Sequence, residues 1–382
     1  MNENVRFKGE PAFSILTKEK CTGCFGCENS CKFKAIKMTL SQEGFYFPEI
    51  DTERCIKCGK CALNCPVLNF KSHNFGENYV KVYASFSRDD KVRFESSSGG
   101  IFTEMAQEII EAGGIVFGAA WEKDLSVKHL QIKDRKGLSK LRSSKYIQSN
   151  LEGIYLEVVK AAETEGKKVL FTGTPCQAAA LRTFTNSENL LIVDVLCHGV
   201  PSKVVFDEYI KYISNNDEVV SYNFRDKANG WSKYGVKAKM GNGKIYKCIT
   251  RKDPFFHGFI CDLYSNLSCY DCKFASIPRV GDVTIGDFWK APQEIMDERG
   301  VSVVIANNHR GEKFLEKLYS KNKIDLHPRK LSEALKGNSR ICNGFLNMRK
   351  NREEILKTVK KRGFIYIAEN YINKTKRYVL DK

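Results

Sequence analysis

From residue 79 onward, apolar runs of strand length alternate with stretches of helical periodicity, a pattern that predicts a mixed α/β domain. Residues 80–86, 115–121, 168–172 and 190–196 read as strands, and the last two run into turns that each hold a cysteine. Residues 101–112 read as a helix closed by Gly113 and Gly114, with further helices at 151–162 and 178–184. The run Met240-Gly241-Asn242-Gly243-Lys244 predicts a hairpin turn between strands 234–239 and 245–250. Before this domain the periodicity changes. Only residues 44–50 read as a strand there, between two runs of closely spaced cysteines.

Those cysteines carry the strongest chemical signal. Cys21, Cys24, Cys27 and Cys31 form a C-x2-C-x2-C-x3-C run, and Cys55, Cys58, Cys61 and Cys65 repeat it with Pro66 directly after. Three thiolates on one tight loop wrap three corners of a cubane cluster, and the fourth, opening the next helix, serves the neighbouring cluster. One 4Fe-4S cluster is therefore expected on Cys21, Cys24, Cys27 and Cys65, and a second on Cys55, Cys58, Cys61 and Cys31. Zinc is the weaker reading, because tetrahedral zinc takes well-separated C-x2-C pairs. Lys32 stands where the first run would normally carry proline, which weakens a helix start without removing a ligand. The expected fold class is an α+β ferredoxin-like two-cluster module fused to a larger mixed α/β domain. The expected boundaries are a ferredoxin-type domain at 15–75 with a linker at 71–74, an α/β domain at 76–330 and a basic helical C-terminal extension at 331–382.

Composition narrows the field further. In 382 residues, 42% hydrophobic and 11% aromatic content with 9 prolines excludes disorder and low complexity as the theme. No apolar run approaches the ~18 residues of a membrane-spanning helix. No secretory signal is visible at Met1–Arg6, so a reducing, cytoplasmic setting is expected, in which 15 thiols ask for metal rather than disulfides. A formal charge of +17 calls for an acidic partner. Nucleic acid is the poorer candidate, since no nucleic-acid motif accompanies the charge. Residues 349–382 hold eleven Lys and Arg against four Asp and Glu; Ile355, Leu356, Val359 and Ile365 there predict an amphipathic helix, read chiefly as a solvated face.

The α/β domain offers its own chemistry. Ser96-Ser97-Ser98-Gly99-Gly100 precedes the helix at 101, where serines would cap free N–H groups and glycines admit an anion to the positive end of the helix; an ordinary capped helix is the plain alternative. Arg142 to Ser149, including Ser144 and Lys145, gathers cations, hydroxyls and an amide suited to a flavin edge or its phosphates, unless it is a solvated loop. Gly173-Thr174-Pro175-Cys176 and Cys197-His198-Gly199 follow strands, where α/β proteins place ligands. With Cys269 and Cys272 these thiols make a candidate third 4Fe-4S site; the alternative leaves Cys176 and Cys197 as buried small residues. Cys248, Cys261 and Cys342 read as structural thiols, with Cys261 a possible substitute ligand. His198 suits an acid or base beside a flavin, or simply a loop hydrogen bond. Arg225-Asp226-Lys227 with Trp231, and residues 281–289, read as site-building turns, and Arg225 and Lys227 as either anion ligands or surface charges.

In order, the doubled cluster motif, Ser97-Ser98-Gly99-Gly100, Gly173-Thr174-Pro175-Cys176, Cys197-His198-Gly199, Cys269-x2-Cys272 and Gly281-Asp282-Val283-Thr284-Ile285-Gly286-Asp287 resemble one family over residues 15–330. It is the coenzyme F420 hydrogenase/dehydrogenase beta-subunit family, with the N-terminal ferredoxin domain fused in its bacterial members. The resemblance implies FAD in the α/β domain, lined by Ser98, Gly99 and Gly100 with Lys145 near the ring, and a cluster on Cys176, Cys197, Cys269 and Cys272. It implies an oxidoreductase that passes single electrons between clusters and FAD and exchanges hydride with a two-electron substrate, which the resemblance leaves open. An acidic ferredoxin-like protein is the expected partner. The alternative is a non-catalytic electron-transfer subunit docking a separate catalytic partner.

Overall fold

The computed structural model describes residues 11–70 and 79–375. The expected linker at 71–74 and the N-terminal segment lie outside the described residues. After the first cysteine run, β1 (Ile36–Leu40) and β2 (Tyr46–Ile50) pair antiparallel, flanked by short helices at Gly26–Ser30 and Lys60–Leu63. Only β2 is legible in the sequence, because β1 alternates its inward Ile36 and Met38 with Lys37 and Thr39 over just five residues.

The α/β part is built on one nine-stranded mixed sheet. In chain order its strands are β3 (Lys81–Ser87), β4 (Ile115–Trp121), β5 (Val127–Ile132), β6 (Ser149–Asn150), β7 (Val169–Gly173) and β8 (Leu190–Val195). A separate antiparallel sheet follows, of β9 (Val219–Asp226), β10 (Gly235–Met240) and β11 (Ile245–Ile249), the last two forming the expected hairpin. The chain then returns to the large sheet with β12 (Val283–Asp287), β13 (Ser302–Ala306) and β14 (Ile324–Arg329), giving the order β14-β3-β13-β12-β8-β7-β4-β5-β6. Strands β12, β8, β7 and β4 run parallel at its centre. Their near-continuous apolar sequences, such as Leu190-Leu191-Ile192-Val193, reflect burial on both faces. Residues 281–289, expected as a turn, in fact contain the central strand β12; Asp282 ends the turn by accepting from the Ile192 amide at 2.7 Å.

One face is covered by the helix Ile101–Glu111, whose Ile101, Met105 and Ile109 pack on Val116 and Leu170. Helices Ile154–Val159 and Pro175–Arg182 cover the other face, and Phe25, Ile36, Met38 and Ala62 of the cysteine module pack into the same apolar core. The module is thus built into the domain. The C-terminal helix Arg352–Ile367 is docked rather than solvated: Ile355, Leu356 and Val359 are buried in the aromatic core under β9 and β10. Gly363 breaks that helix with φ 74°, which turns the apolar stripe and leaves Ile365 exposed.

Candidate functional site

The ends of the central parallel strands converge on a cavity of about 460 Å³. Thr172 and Gly173 reach it from β7, Val195 to Gly199 from the end of β8, and Ile285 to Asp287 from β12, the carboxyl-end position expected for α/β ligands. Sequence motifs far apart in the chain meet on its walls: Ser97, Ser98, Gly100, Ser144, Lys145, Gly173, Thr174, Cys176, Cys197 and His198 all line it. Gly99 does not. It is wedged between β3 and β13, where an added Cβ would sit 2.5 Å from the Ser85 carbonyl, so its role is close backbone packing.

The serine run behaves differently from expectation. Gly100, at φ 89°, is the N-cap of the helix at Ile101, and no side chain caps it. Ser98 donates to the Val301 carbonyl at 2.8 Å and Ser96 to that of Val92 at 2.7 Å, while Ser97 accepts from the Ser144 amide at 2.9 Å. The serines therefore fasten the loop to its neighbours and leave the helix end to whatever fills the cavity.

Arg225 is buried, not a surface charge. Its guanidinium grips Asp287 with two bonds of 2.6 and 2.7 Å, donates to the Ser97 carbonyl at 2.7 Å and lies 3.9 Å over the Tyr234 ring. Trp231 Nε1 donates to the same carboxylate at 2.7 Å. This pair joins the two segments that the sequence flagged separately. Lys227 is buried as well, but away from the cavity, with its Nζ on the carbonyls of Arg93, Ser98 and Arg299. Among the described residues, Arg225 Nε and Arg142 Nε are buried on the cavity wall with no hydrogen-bond partner. Buried donors are ordinarily satisfied, so these fit a polar ligand.

Lys145 holds its amine between the carbonyls of Lys140 and Arg142 at 3.0 and 2.7 Å, and burial pulls it from 10.5 down to about 7. An anion in the cavity favours the ammonium form. Anion affinity is therefore expected to fall as pH rises through about 7, and Lys145→Met to flatten that dependence. Flavin fluorescence titrations at several pH values check it; an unchanged slope in the variant would remove Lys145 from the site.

His198 is oriented by Asp262, with 2.8 Å between Nε2 and Oδ1, and stands edge-on to Phe259. His129, which the sequence did not single out, bridges Ser149 Oγ and the Thr172 carbonyl at 2.9 Å each, and burial drives it down to about 4, so it lines the cavity uncharged. A lone histidine in an alternating strand gives no sequence signal of this kind.

A second cavity, of about 340 Å³, is lined by Cys21, Cys24, Cys27 and Cys65, the crossed set expected from the spacing. Burial pushes Cys21 and Cys65 up to about 12 and Cys24 and Cys27 upward too, and the neighbouring thiols add to the rise at Cys21, Cys27 and Cys65. Four buried thiolates without a cation would repel one another; iron would neutralise them. Among the described residues no three Cys, His, Asp or Glu side chains close on a single ion. Of the other run, Cys61 is buried, Cys31 and Cys55 are half-buried and Cys58 is exposed.

Cys176, Cys197, Cys269 and Cys272 are electrostatic neighbours: Cys272 and Cys197 both act on Cys176 and on Cys269. Burial raises Cys197 to about 11 and Cys269 to about 12, countered at both by Arg340. Arg340, absent from the sequence reading, also donates to the carbonyls of Cys197 and Cys269 at 3.4 Å. Cys261 belongs elsewhere, buried 3.7 Å from His257 Nε2, and Cys342 is exposed rather than core. The two cysteine regions adjoin: Cys24 acts on Cys176, Tyr155 Oη donates to the Cys24 carbonyl at 2.7 Å, and Thr22 borders both cavities.

Comparison with known proteins follows the same division. Residues 166–331 match the family described as the C terminus of the coenzyme F420 hydrogenase/dehydrogenase beta subunit, and residues 20–69 match a 4Fe-4S dicluster domain. Residues 166–331 thus resemble the C-terminal part of that beta subunit, and residues 20–69 a 4Fe-4S domain. It is similar to the coenzyme F420-dependent sulfite reductase of Methanocaldococcus jannaschii, 23% identical over 318 residues, covering 72% of this chain and 48% of that protein. An uncharacterized ferredoxin of the same organism is 31% identical over 83 residues, covering 15% of this chain and 55% of that protein. A chain of the F420-reducing [NiFe] hydrogenase complex from Methanosarcina barkeri aligns with TM-score 0.49 and 17% identity, over 74% of this chain and 92% of that one. The chain thus spans about half the length of the curated relatives named here. Coenzyme F420 is named among these relatives and FAD is not. No helix among the described residues is long and apolar enough to cross a membrane.

Proposed function

We propose that the chain is an iron–sulfur oxidoreductase that moves single electrons between its cysteine clusters and a flavin-class tricyclic cofactor in the 460 Å³ cavity, where hydride is exchanged with a two-electron substrate. The observation that carries this reading is the shared wall: the cavity at the strand ends is lined by Cys176, Cys197 and Thr22, and Thr22 also borders the cavity of Cys21, Cys24, Cys27 and Cys65. When bound, clusters supply one-electron transfer, and a flavin-class ring supplies the conversion between one and two electrons.

Within this reading the N-terminal module is a ferredoxin-like two-cluster fold, with Cys31, Cys55, Cys58 and Cys61 holding its second cluster. Cys176, Cys197, Cys269 and Cys272 hold a third. Gly100, Ser97, Ser98, Ser144, Gly173 and Thr174 cradle the cofactor, and Arg225 Nε and Arg142 Nε are free to donate to its polar groups. Lys145 faces negative charge on the ring, and His198, steadied by Asp262, holds or moves a proton at the cavity wall. Two molecules share a tricyclic ring with an anionic tail and take different roles: FAD, to which the serine–glycine and Lys145 loops point, can accept electrons singly, while coenzyme F420, named by the family and the reductase relative, exchanges hydride and fits the two-electron substrate.

The test is anaerobic reconstitution with iron and sulfide, followed by separate titrations with FAD and coenzyme F420. Iron near ~12 per chain supports three clusters and ~8 supports two, at four irons each. Binding of either ring identifies the tenant, and binding of neither overturns the reading. The second reading is an electron-transfer subunit, with the same clusters and cavity, serving a separate catalytic partner. Hydride exchange by the isolated chain contradicts it.

A further inference from the structure

The two cysteine runs look alike in sequence but face opposite ways. The first is turned into the protein: Asn29 Nδ2 donates to the Leu151 carbonyl at 3.0 Å, Gln148 Nε2 to that of Thr22 at 3.1 Å, and Tyr155 Oη to that of Cys24 at 2.7 Å. Gly23, at φ 61°, lies so close to Gln148 that a side chain there would collide with it. The second run has such cover at Cys61 and Cys65, which are buried, but not at its Cys55–Cys58 end. From Asp51 to Lys60 every residue is exposed except half-buried Cys55 and buried Gly59, and the Cys58 thiol itself is open to solvent. The loop after Cys31 lies alongside, joined by the Asp51 amide donating to the Ala35 carbonyl at 2.9 Å, and it is exposed at Lys32, Phe33 and Lys34.

The rim of this end is cationic. Lys32 and Lys34 on one loop and Arg54, Lys57 and Lys60 along the other outnumber the acidic Asp51 and Glu53, and Asp51 is already 3.2 Å from Arg54; Lys37 on β1 stands opposite Glu49. Each loop also presents one bare apolar side chain, Phe33 at 50% exposure and Ile56 at 59%. An apolar centre with a charged rim is the anatomy of a protein interface, and a patch of this size suits the weak, short-lived encounters of redox partners.

We propose that this exposed end is the chain's electron port, and that its occupant is an acidic one-electron carrier protein docking on the Cys55–Cys61 loop and the loop after Cys31. The proposal rests on the reading above that Cys31, Cys55, Cys58 and Cys61 hold a cluster. Electron tunnelling weakens steeply with distance, so a carrier protein exchanges fastest with the cluster it can touch. The first run, half-buried and tied to the domain, exposes none of its cysteines as fully as Cys58. A ring of cations steers an acidic partner to the port and sets the encounter rate more than the affinity.

The experiment uses the full reconstituted chain, with a reduced acidic two-cluster ferredoxin as probe and dithionite-reduced methyl viologen as the small cationic control. The rate of cluster reduction is followed by stopped-flow absorbance. For the double variant Lys34→Glu/Lys57→Glu the ferredoxin rate constant at low salt is expected to fall about tenfold, with the gap closing at high salt and no loss of rate with viologen. A second double variant, Lys360→Glu/Lys361→Glu, on the exposed side of the C-terminal helix, is expected to leave the ferredoxin rate unchanged. An unchanged rate in the port variant, an equal fall in both variants, or no reaction of the original chain with the ferredoxin overturns the proposal. Failure of the functional reading looks different: electrons from viologen would not reach a ring in the cavity in any variant.

Discussion

Substituting Cys65 by serine is expected to cost the chain the cluster of the first cysteine run, although Cys65 belongs to the second run in sequence. Cys65 shares a cavity with Cys21, Cys24 and Cys27, and both Cys24 and Cys21 act on it electrostatically. If Cys21 and Cys65 ligate one cluster, Cys21→Ser and Cys65→Ser each remove about four irons, and the double variant removes no more than either alone. Cys58→Ser combined with Cys65→Ser, by contrast, removes about eight. Iron and sulfide analysis of the four preparations decides it, and additive loss in the Cys21/Cys65 pair would mean the ligands are not crossed. Metal binding here is coupled to folding, so the thermal midpoint should fall with the iron.

The second large effect is expected at Arg225. Replacing it with methionine keeps the bulk but leaves the half-buried Asp287 with Trp231 Nε1 as its remaining partner among the bonds described above. Removing one member of a fully buried pair costs about 3–5 kcal/mol, and the partial exposure of Asp287 puts the loss at or below the lower end of that range. Denaturant unfolding of Arg225→Met under anaerobic conditions checks the size. Adding Asp287→Asn should recover part of the loss, since the stranded charge is then gone. The same substitution opens the cavity wall, where Arg225 also pins the Ser97 carbonyl and stacks on Tyr234. Ring binding should therefore weaken beyond what the stability loss explains.

Much of the architecture was legible because burial leaves its mark on composition. The apolar runs of β4, β7 and β8 are sheet-centre strands, and the glycine-rich turn between β10 and β11 is where it was read. β5 and β14 escaped because charged and polar residues interrupt them, and β12 because its Gly286 and Asp287, with Gly281 and Asp282 just before it, imitate a turn. Gly286 is there for closeness: a Cβ would run into Leu196 of the adjoining strand end. At the candidate site, local spacing revealed the eight ferredoxin cysteines, whose ligand geometry is encoded within a few residues. Arg340 and His129 were invisible, because their importance depends on what the fold sets opposite them. Arg225 and Asp287 were flagged apart, and only tertiary structure could show that they are one unit.

Thr22 forms part of a partition one residue thick, with thiols on one side and the ligand cavity on the other. Its neighbour Gly23 is pressed against Gln148, which also lines the cavity. Anything that reshapes the iron-side loop therefore moves the floor on which a ring would rest, and the linkage is reciprocal. Iron content becomes a variable in every affinity measured on this protein: half-loaded preparations would behave as mixtures of strong and weak binders, and a tightly held ring would slow the leakage of iron.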